Sequence, residues 1–142
     1  MDVNNLVSIA QAMVADHKGL LAADESTGTI TKRFETINVN STADSRRDYR
    51  ELLFRTAGIG KYISGVILYD ETIRQSAADG TTLVDLMKEE GILPGIKVDA
   101  GAKPLAGSDS ETVTEGLDGL RDRVMEYVDL GAKFAKWRAV IK

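Results

Sequence analysis

Apolar and polar positions alternate along the chain with two periods, one typical of helices and one typical of strands. Apolar side chains recur every three to four residues in stretches that predict amphipathic helices at 3–17, 42–57, 81–91 and 114–131. Short apolar runs that end in charged residues predict strands at 20–26, 64–71, 94–101 and 134–142. The predicted order is therefore a helix, three strand–helix pairs and a final strand.

Each predicted helix has an apolar face that we expect to pack inward. In the first helix this face consists of Leu6, Ile9, Ala10, Met13 and Val14. In the second it consists of Tyr49, Leu52, Leu53 and Thr56, after a capping pair formed by Ser41 and Asp44. In the last it consists of Leu117, Leu120, Val124, Tyr127 and Val128. Gly91 is expected to end the third helix in the left-handed conformation.

Strands that alternate with helices indicate a parallel sheet with right-handed crossovers. Such strands fit either a doubly wound sheet or part of a barrel. Charged residues lie late in every strand, namely Asp24, Asp70 with Glu71, Lys97 with Asp99, and Lys136 with Arg138. Barrel enzymes carry their chemistry at the carboxyl ends of the strands, so this arrangement favours the barrel.

The last segment, "FAKWRAVIK", allows two interpretations. With a period of two, Ala135, Trp137, Ala139 and Ile141 share one face, and Phe134, Lys136, Arg138 and Val140 share the other. The segment is either an edge strand with a solvated face or a barrel strand whose cations point into an anion-binding cavity.

Other polar residues leave similar alternatives open. Asp24 could move protons at the mouth of a barrel or cap the turn that follows it. Ser26 and Thr29 lie in a small loop, rich in hydroxyl groups, of a kind that can wrap a phosphate, although it matches no nucleotide-binding fingerprint. Lys97 either extends to solvent or meets an anion. Arg46 lies in "SRRDYR", which reads most simply as a solvated helix face.

Composition excludes several classes of function. The net charge is −4 without a long basic run, which argues against nucleic acid as a partner. No apolar stretch approaches the roughly 20 residues that cross a bilayer, and the first residues lack the pattern of a secretory signal. Cysteine is absent and His17 is the single histidine, so no thiolate or histidine-rich metal site is expected. The residues alone indicate a parallel α/β chain with a cationic pocket for a phosphorylated small molecule.

Six segments, in order, resemble the class I, Schiff-base family of fructose-bisphosphate aldolases. They are "KGLLAADESTGTITKRF", "RRDYRELLF", "GVILYDET", "PGIKVDAG", "PLAGSDSETVTEGLDGL" and "GAKFAKWRAVIK". The resemblance implies that "FAKWRAVIK" is the fourth strand of an eight-stranded barrel of about 250 residues or more. Residues 1–142 would then be a single partial domain, the N-terminal half of a TIM (β/α)8 barrel.

The resemblance also implies roles for individual residues. Asp24 would carry protons during carbon–carbon cleavage, and Lys136 would support formation and dehydration of the carbinolamine. The substrate-binding residues would be Ser26, Thr29, Arg33, Arg46, Lys97 and Arg138. Neither a metal nor a cofactor is expected.

The function implied is reversible cleavage of fructose 1,6-bisphosphate, a phosphorylated ketose, to dihydroxyacetone phosphate and glyceraldehyde 3-phosphate. The family's Schiff-base lysine lies in a later strand, so these 142 residues alone are expected to be inactive. The full-length protein would be a cytoplasmic homotetramer, with no nucleic acid or membrane as partner. The open edges of a half-barrel would be covered by the missing C-terminal half or by other copies of the chain. Two alternatives are a non-catalytic sugar-phosphate-binding or scaffold half-barrel, and a phosphosugar isomerase or epimerase.

Overall fold

The computed structural model describes residues 3–140 and shows an α/β fold. The helices are α1 (Val3–Met13), α2 (Thr27–Glu35), α3 (Ala43–Phe54), α4 (Asp70–Ile73), α5 (Leu83–Glu89) and α6 (Leu120–Asp129). The strands are β1 (Gly19–Ala23), β2 (Ile63–Leu68), β3 (Leu93–Lys97), β4 (Gly101–Pro104), β5 (Thr112–Glu115) and β6 (Phe134–Lys136). A single 3₁₀ turn, Ile59–Lys61, precedes β2.

Four strands form one parallel sheet in the order β1-β2-β3-β6. The predicted parallel sheet is therefore confirmed. Strands β4 and β5 form a separate antiparallel hairpin between β3 and α6. Lys97 on β3 lies opposite Lys136 on β6, so both lysines belong to the same face of the sheet.

The two faces of the sheet have different roles. On one face Val66, Leu68 and Ile96 are almost fully buried with Leu83 and Met87 of α5 in the main apolar core. On the other face the ring of Phe134 lies directly over Gly95, where an added Cβ would come within 2.3 Å of the ring. The helix-facing side thus supplies the core, and the opposite side supplies the space into which the strand-end lysines project.

Several predicted helix faces are only partly correct. No residue of α1 is buried, and Leu6 and Val14 are 50% and 77% exposed. In α3 the buried residues are Arg50 and Phe54, whereas Leu52 is 70% exposed. The physical reason is that the apolar face of a helix is buried only where another element covers it. Few of the described residues pack against the predicted faces of α1 and α3.

Helix α6 shows the same effect. Tyr127 is buried and Leu120 is packed against the core, as predicted. Val128 is instead mostly exposed, and Val124 is 37% exposed; Leu117, also mostly exposed, precedes the helix, which begins at Leu120. The apolar face of α6 is therefore wider than the surface that the described residues offer it.

The sequence pattern missed four of the described helices and strands, namely α2, α4, β4 and β5. Helix α2 occupies part of the segment expected to be a loop, and Ser26 is its N-cap, accepting a hydrogen bond from the Thr29 amide. Strand β5 pairs with β4 and includes the first two residues of the helix expected at 114–131, which begins only at Leu120. In addition, the capping box of α3 is formed by Thr42 and Ser45 and not by Ser41 and Asp44.

The final strand is shorter than expected. Strand β6 ends at Lys136, and residues 137–140 have no regular structure. Ile141, predicted to lie on the apolar face, and Lys142 are outside the described residues. The predicted end of the third helix is confirmed, because Gly91 has a φ of +70°.

Candidate active site at the carboxyl ends of the strands

A cavity of about 430 Å³ lies where the carboxyl ends of the parallel strands meet. Four cations line it, Arg33, Lys97, Lys136 and Arg138. Three acids line it as well, Asp24, Glu25 and Asp99. The hydroxyl residues Ser26 and Thr29 lie at its edge, in the first turn of α2. The structure thus brings together every predicted site residue except Arg46.

Asp24 and Lys136 form a direct ion pair across the cavity. The Nζ of Lys136 donates to Oδ2 of Asp24 at 2.5 Å, and the two side chains are 30% and 10% exposed. Asp24 follows β1, and Lys136 ends β6, so the pair joins the two outer strands of the sheet. The alternative that Asp24 caps the following helix is wrong, because Ser26 is the N-cap.

This ion pair also shows that the sheet is strongly curved. In a flat sheet, three spacings of about 4.8 Å would separate the two outer strands by roughly 14 Å. The side chains of Asp24 and Lys136 nevertheless meet. The ends of β1 and β6 therefore bend toward each other, as strands of a barrel do.

A second ion pair joins Lys97 and Asp99. The Nζ of Lys97 donates to Oδ1 of Asp99 at 2.6 Å, and the Asp99 side chain is only 2% exposed. Burial alone would raise the pKa of Asp99, but hydrogen bonds from Lys97 and from the backbone amides of Arg138 and Gly101 outweigh it and lower that pKa below its ordinary value. Asp99 is consequently ionised at neutral pH.

The backbone on either side of Asp24 is held by a buried arginine. Arg50, whose side chain is fully buried, donates to the carbonyl oxygens of Ala23 at 3.4 Å and Glu25 at 2.8 Å. Burial lowers the pKa of the Arg50 guanidinium from its ordinary value. The expectation that "SRRDYR" forms a solvated helix face is therefore wrong for this residue, and the sequence offered no signal that singled it out.

Arg46 lies outside the group of residues that line the cavity. Its guanidinium donates to both carboxylate oxygens of Glu71, at 2.6 and 2.8 Å, and to Oγ of Ser41 at 3.2 Å. This pairing, chiefly the hydrogen bond itself, lowers the pKa of Glu71. Asp70 likewise turns away, binding Arg74 and the Tyr127 hydroxyl. At the end of β2 the residue that borders the cavity is Tyr69.

The cavity is less cationic than the sequence suggested, because its charges are mostly paired. Glu25 binds Arg33 in the same way that Asp24 binds Lys136 and Asp99 binds Lys97. Within residues 3–140 no ion pair involves the Arg138 guanidinium. With four cations against three acids, the lining carries a net charge of +1.

The described residues contain neither a candidate metal site nor a candidate membrane-spanning helix. Between residues 3 and 140, no group of three or more His, Asp or Glu residues could hold a metal ion. Over the same range, none of the helices is both long and apolar enough to span a membrane.

Comparison with known proteins identifies the family. The family model described as class-I fructose-bisphosphate aldolase, a glycolytic enzyme, matches residues 5–142. The chain belongs to the class I fructose-bisphosphate aldolase family. The class I aldolase resemblance of the six segments is thereby confirmed.

Individual aldolases match over almost the whole chain but only part of their own length. A probable class 1 aldolase of Xanthomonas campestris is 58% identical over 141 residues, which are 99% of this chain and 42% of that protein. The cytosolic aldolase 4 of Arabidopsis thaliana is 57% identical, over 96% of this chain and 35% of that protein. The chain thus spans about two fifths of the length of these aldolases.

A solved aldolase structure confirms the fold class. The Plasmodium falciparum aldolase, crystallised with TRAP and a small-molecule inhibitor, superposes with a TM-score of 0.94 at 50% identity. The match covers 96% of this chain and 39% of that one. The four parallel strands with their flanking helices are therefore the N-terminal half of an aldolase-type TIM barrel.

Proposed function

We propose that this chain supplies part of the active site of a fructose-bisphosphate aldolase. The complete enzyme would cleave fructose 1,6-bisphosphate reversibly to dihydroxyacetone phosphate and glyceraldehyde 3-phosphate. The observation that carries the proposal is the Asp24–Lys136 ion pair inside a cavity that is also lined by Lys97 and Arg138.

The ion pair suits the proton transfers that the reaction needs. Asp24 would accept or return a proton beside the bond that breaks, and the Lys136 ammonium is in direct contact with its carboxylate. Lys136 would in turn donate a proton when the carbinolamine loses water. The iminium that acts as electron sink would form on the lysine that the family carries in a later strand.

The remaining cations suit the substrate's two phosphates. Arg138 can meet a phosphate without first breaking an ion pair within residues 3–140, whereas Lys97 and Arg33 would share their charge with Asp99 and Glu25. The hydroxyl groups of Ser26 and Thr29 lie 3.1 Å apart at the N-terminus of α2, where the helix dipole favours an anion. We include Arg46 only as an indirect contributor, through its contact with Glu71.

Complementation tests the proposal directly. The chain is mixed with the part of the Xanthomonas campestris aldolase that lies beyond the matched region, and cleavage of fructose 1,6-bisphosphate is followed through a coupled dehydrogenase. We expect activity from the mixture and none from either part alone. A mixture that forms a complex but cleaves no substrate would contradict the proposal.

The chain alone is expected to show no turnover. Borohydride trapping with dihydroxyacetone phosphate, followed by intact mass measurement, should leave its mass unchanged, because the proposed Schiff-base lysine is not among these residues. A stoichiometric adduct on this chain would show that it forms the covalent intermediate by itself.

A non-catalytic sugar-phosphate-binding half-barrel is the second candidate function. It is favoured by the four cations that line one cavity within this chain. Calorimetric titration with fructose 1,6-bisphosphate separates the two candidates. Tight binding without activity in the complementation mixture would support the second candidate.

We also propose that residues 1–142 act as one partial domain that needs a partner. Among the described strands, β1 and β6 each pair on one side only. The partner would be a polypeptide with the rest of the barrel or further copies of the chain, and the complete enzyme would be a cytoplasmic homotetramer. Native mass spectrometry of the purified sample would identify the partner and count the copies.

A further inference from the structure

Asp99 is a buried acid in the cavity that, according to the proposed function, binds anions. Its side chain is 2% exposed, compared with 10% for Asp24. An acid in this position reduces the positive charge of the cavity and therefore opposes phosphate binding. If the cavity binds anions, Asp99 must therefore favour binding in some other way that offsets its unfavourable charge.

The contacts of Asp99 connect two strands and one loop. Oδ1 accepts from the Lys97 ammonium at 2.6 Å and from the Gly101 amide at 3.0 Å. Oδ2 accepts from the Arg138 amide at 3.2 Å. The Lys97 ammonium also donates to the Asp99 carbonyl oxygen at 2.7 Å, so its direction is set by two acceptors on the same residue.

These contacts are not needed to hold the strands together. Strands β3 and β6 are already paired, and the Val98 amide continues their ladder by donating to the Lys136 carbonyl at 3.1 Å. Beyond that bond β6 has ended, and the Arg138 amide is held by the Asp99 carboxylate. What Asp99 adds is a contact with the Lys97 ammonium through one carboxylate oxygen and with the backbone amide of Arg138 through the other.

We propose that Asp99 is a positioning residue of the anion-binding wall. It fixes the Lys97 side chain through Oδ1 and the backbone of Arg138 through Oδ2, so that both cations face the same cavity. The identity of the anion as a sugar bisphosphate rests on the proposed function, but the positioning role does not.

The substitution Asp99→Asn separates positioning from charge. The amide has nearly the same shape but offers one acceptor oxygen in place of two, so it cannot satisfy both Lys97 and Arg138. It also makes the cavity more positive by one unit. If Asp99 were only a counter-charge, anion binding would become tighter; if it positions the cations, binding becomes weaker despite the added charge.

The experiment uses the 142-residue chain, with Asp109→Asn as the control. Asp109 lies exposed in the turn of the β4–β5 hairpin, so the control changes the net charge equally without touching the cavity. Thermal melting first establishes that each variant is folded. NMR relaxation then measures the order of the Lys97 side chain, and calorimetry measures the Kd for fructose 1,6-bisphosphate.

We expect Asp99→Asn to reduce the order of Lys97 to that of an exposed lysine and to raise the Kd about tenfold, since the long Lys97 side chain must then be ordered on binding and the backbone of Arg138 is no longer held. The control should change neither quantity. An unchanged Lys97 order in folded Asp99→Asn, or equal or tighter binding by it, would overturn the positioning role.

Two remaining outcomes are also decisive. If the wild-type chain alone binds no fructose 1,6-bisphosphate, binding requires the rest of the barrel, and the Lys97 order alone decides the role of Asp99. If Asp99→Asn does not fold, the wild-type amide signals of Gly101 and Arg138 are followed through an acid titration. If the two amide signals change with the same midpoint, below the ordinary pKa of an aspartate, the positioning role of Asp99 is supported. If they change with different midpoints, that role is refuted.

Discussion

At the scale of single residues, the site depends on pairs that are far apart in the sequence. The alternation within "FAKWR" was enough to predict that Lys136 shares a face of the strand with Phe134, whereas Arg138 lies beyond the end of β6. The partner of Lys136 could not be predicted in the same way, because Asp24 lies 112 positions earlier. For the same reason the sequence suggested a freely cationic pocket, whereas the folded chain neutralises three of its four cations.

The substitution Lys136→Met tests the central ion pair. In the complementation mixture we expect the rate of substrate cleavage to fall by about 100-fold or more, because loss of a proton-transfer group typically costs 10²–10⁴ in rate. Assembly of the two parts should persist, because only one side chain at the cavity changes.

Lys103→Met on the exposed hairpin is the matched control, with the same loss of charge. Equal rates for the two variants in the coupled assay would exclude Lys136 from the chemistry.

Glu71 gives the clearest expectation for pH. Its pKa is lowered in the folded chain, mainly by the hydrogen bonds from Arg46. The stabilisation is therefore complete above the ordinary glutamate pKa of about 4.3 and is lost as the pH falls through the lower folded-state value. Glu71→Gln should cost about 1 kcal/mol at pH 7 and less at pH 3, because pH 3 lies below the ordinary glutamate pKa and part of the stabilisation of the wild-type chain is lost there.

Urea unfolding at the two pH values measures this difference. Glu111→Gln, in an exposed turn, serves as the control. The same loss of stability at both pH values for Glu71→Gln would assign the effect to packing and not to charge.

At the scale of elements, the spacing of apolar residues predicted those helices and strands whose apolar side chains are buried in the core. Strands β2 and β3 and helix α5 were predictable because their apolar residues enter the core. Helix α2 was missed because Thr27, Gly28 and Thr29 are weak helix formers. It is stabilised instead by the Ser26 cap and by burial of Ile30 and Phe34, which depend on the folded chain.

Gly95 is required by the close packing between β3 and β6. An added Cβ would lie 2.3–2.7 Å from three atoms of the Phe134 ring. Gly95→Ala should therefore destabilise the chain by about 1–3 kcal/mol, because either the ring or the strand must shift.

Gly28→Ala is the matched comparison, because a Cβ there meets nothing within 4 Å and the residue is helical. It should stabilise the chain by about 0.5–1 kcal/mol. Denaturant unfolding of both variants measures the contrast, and a neutral Gly95→Ala would show that Phe134 moves freely.

At the scale of the whole molecule, apolar surface remains where helix α6 and strand β6 meet. A groove there is lined in part by Ile96, Val124, Val128 and Phe134. The sequence predicted Val124 and Val128 as inward-facing positions of a helix, and only neighbouring elements could decide whether they are covered. The existence of helix α6 was therefore predictable from the sequence, but the exposure of Val124 and Val128 was not.

We expect this surface to promote self-association of the chain. Val128 is 59% exposed, so Val128→Lys should increase the monomer fraction in sedimentation velocity without lowering the melting temperature. Val113→Lys, on the hairpin strand β5, is the control. A wild-type chain that stays monomeric at every accessible concentration would contradict the expectation.

The Asp24–Lys136 contact has one more consequence, for how the chain meets other polypeptides. By drawing the ends of β1 and β6 together it gives the sheet the shape of an arc, with its two open borders turned at an angle to each other. A flat sheet could pair with one open edge but would diverge from the other. A second curved sheet of matching radius could pair with both edges at once. The bend that assembles the site thus also selects against indiscriminate strand addition.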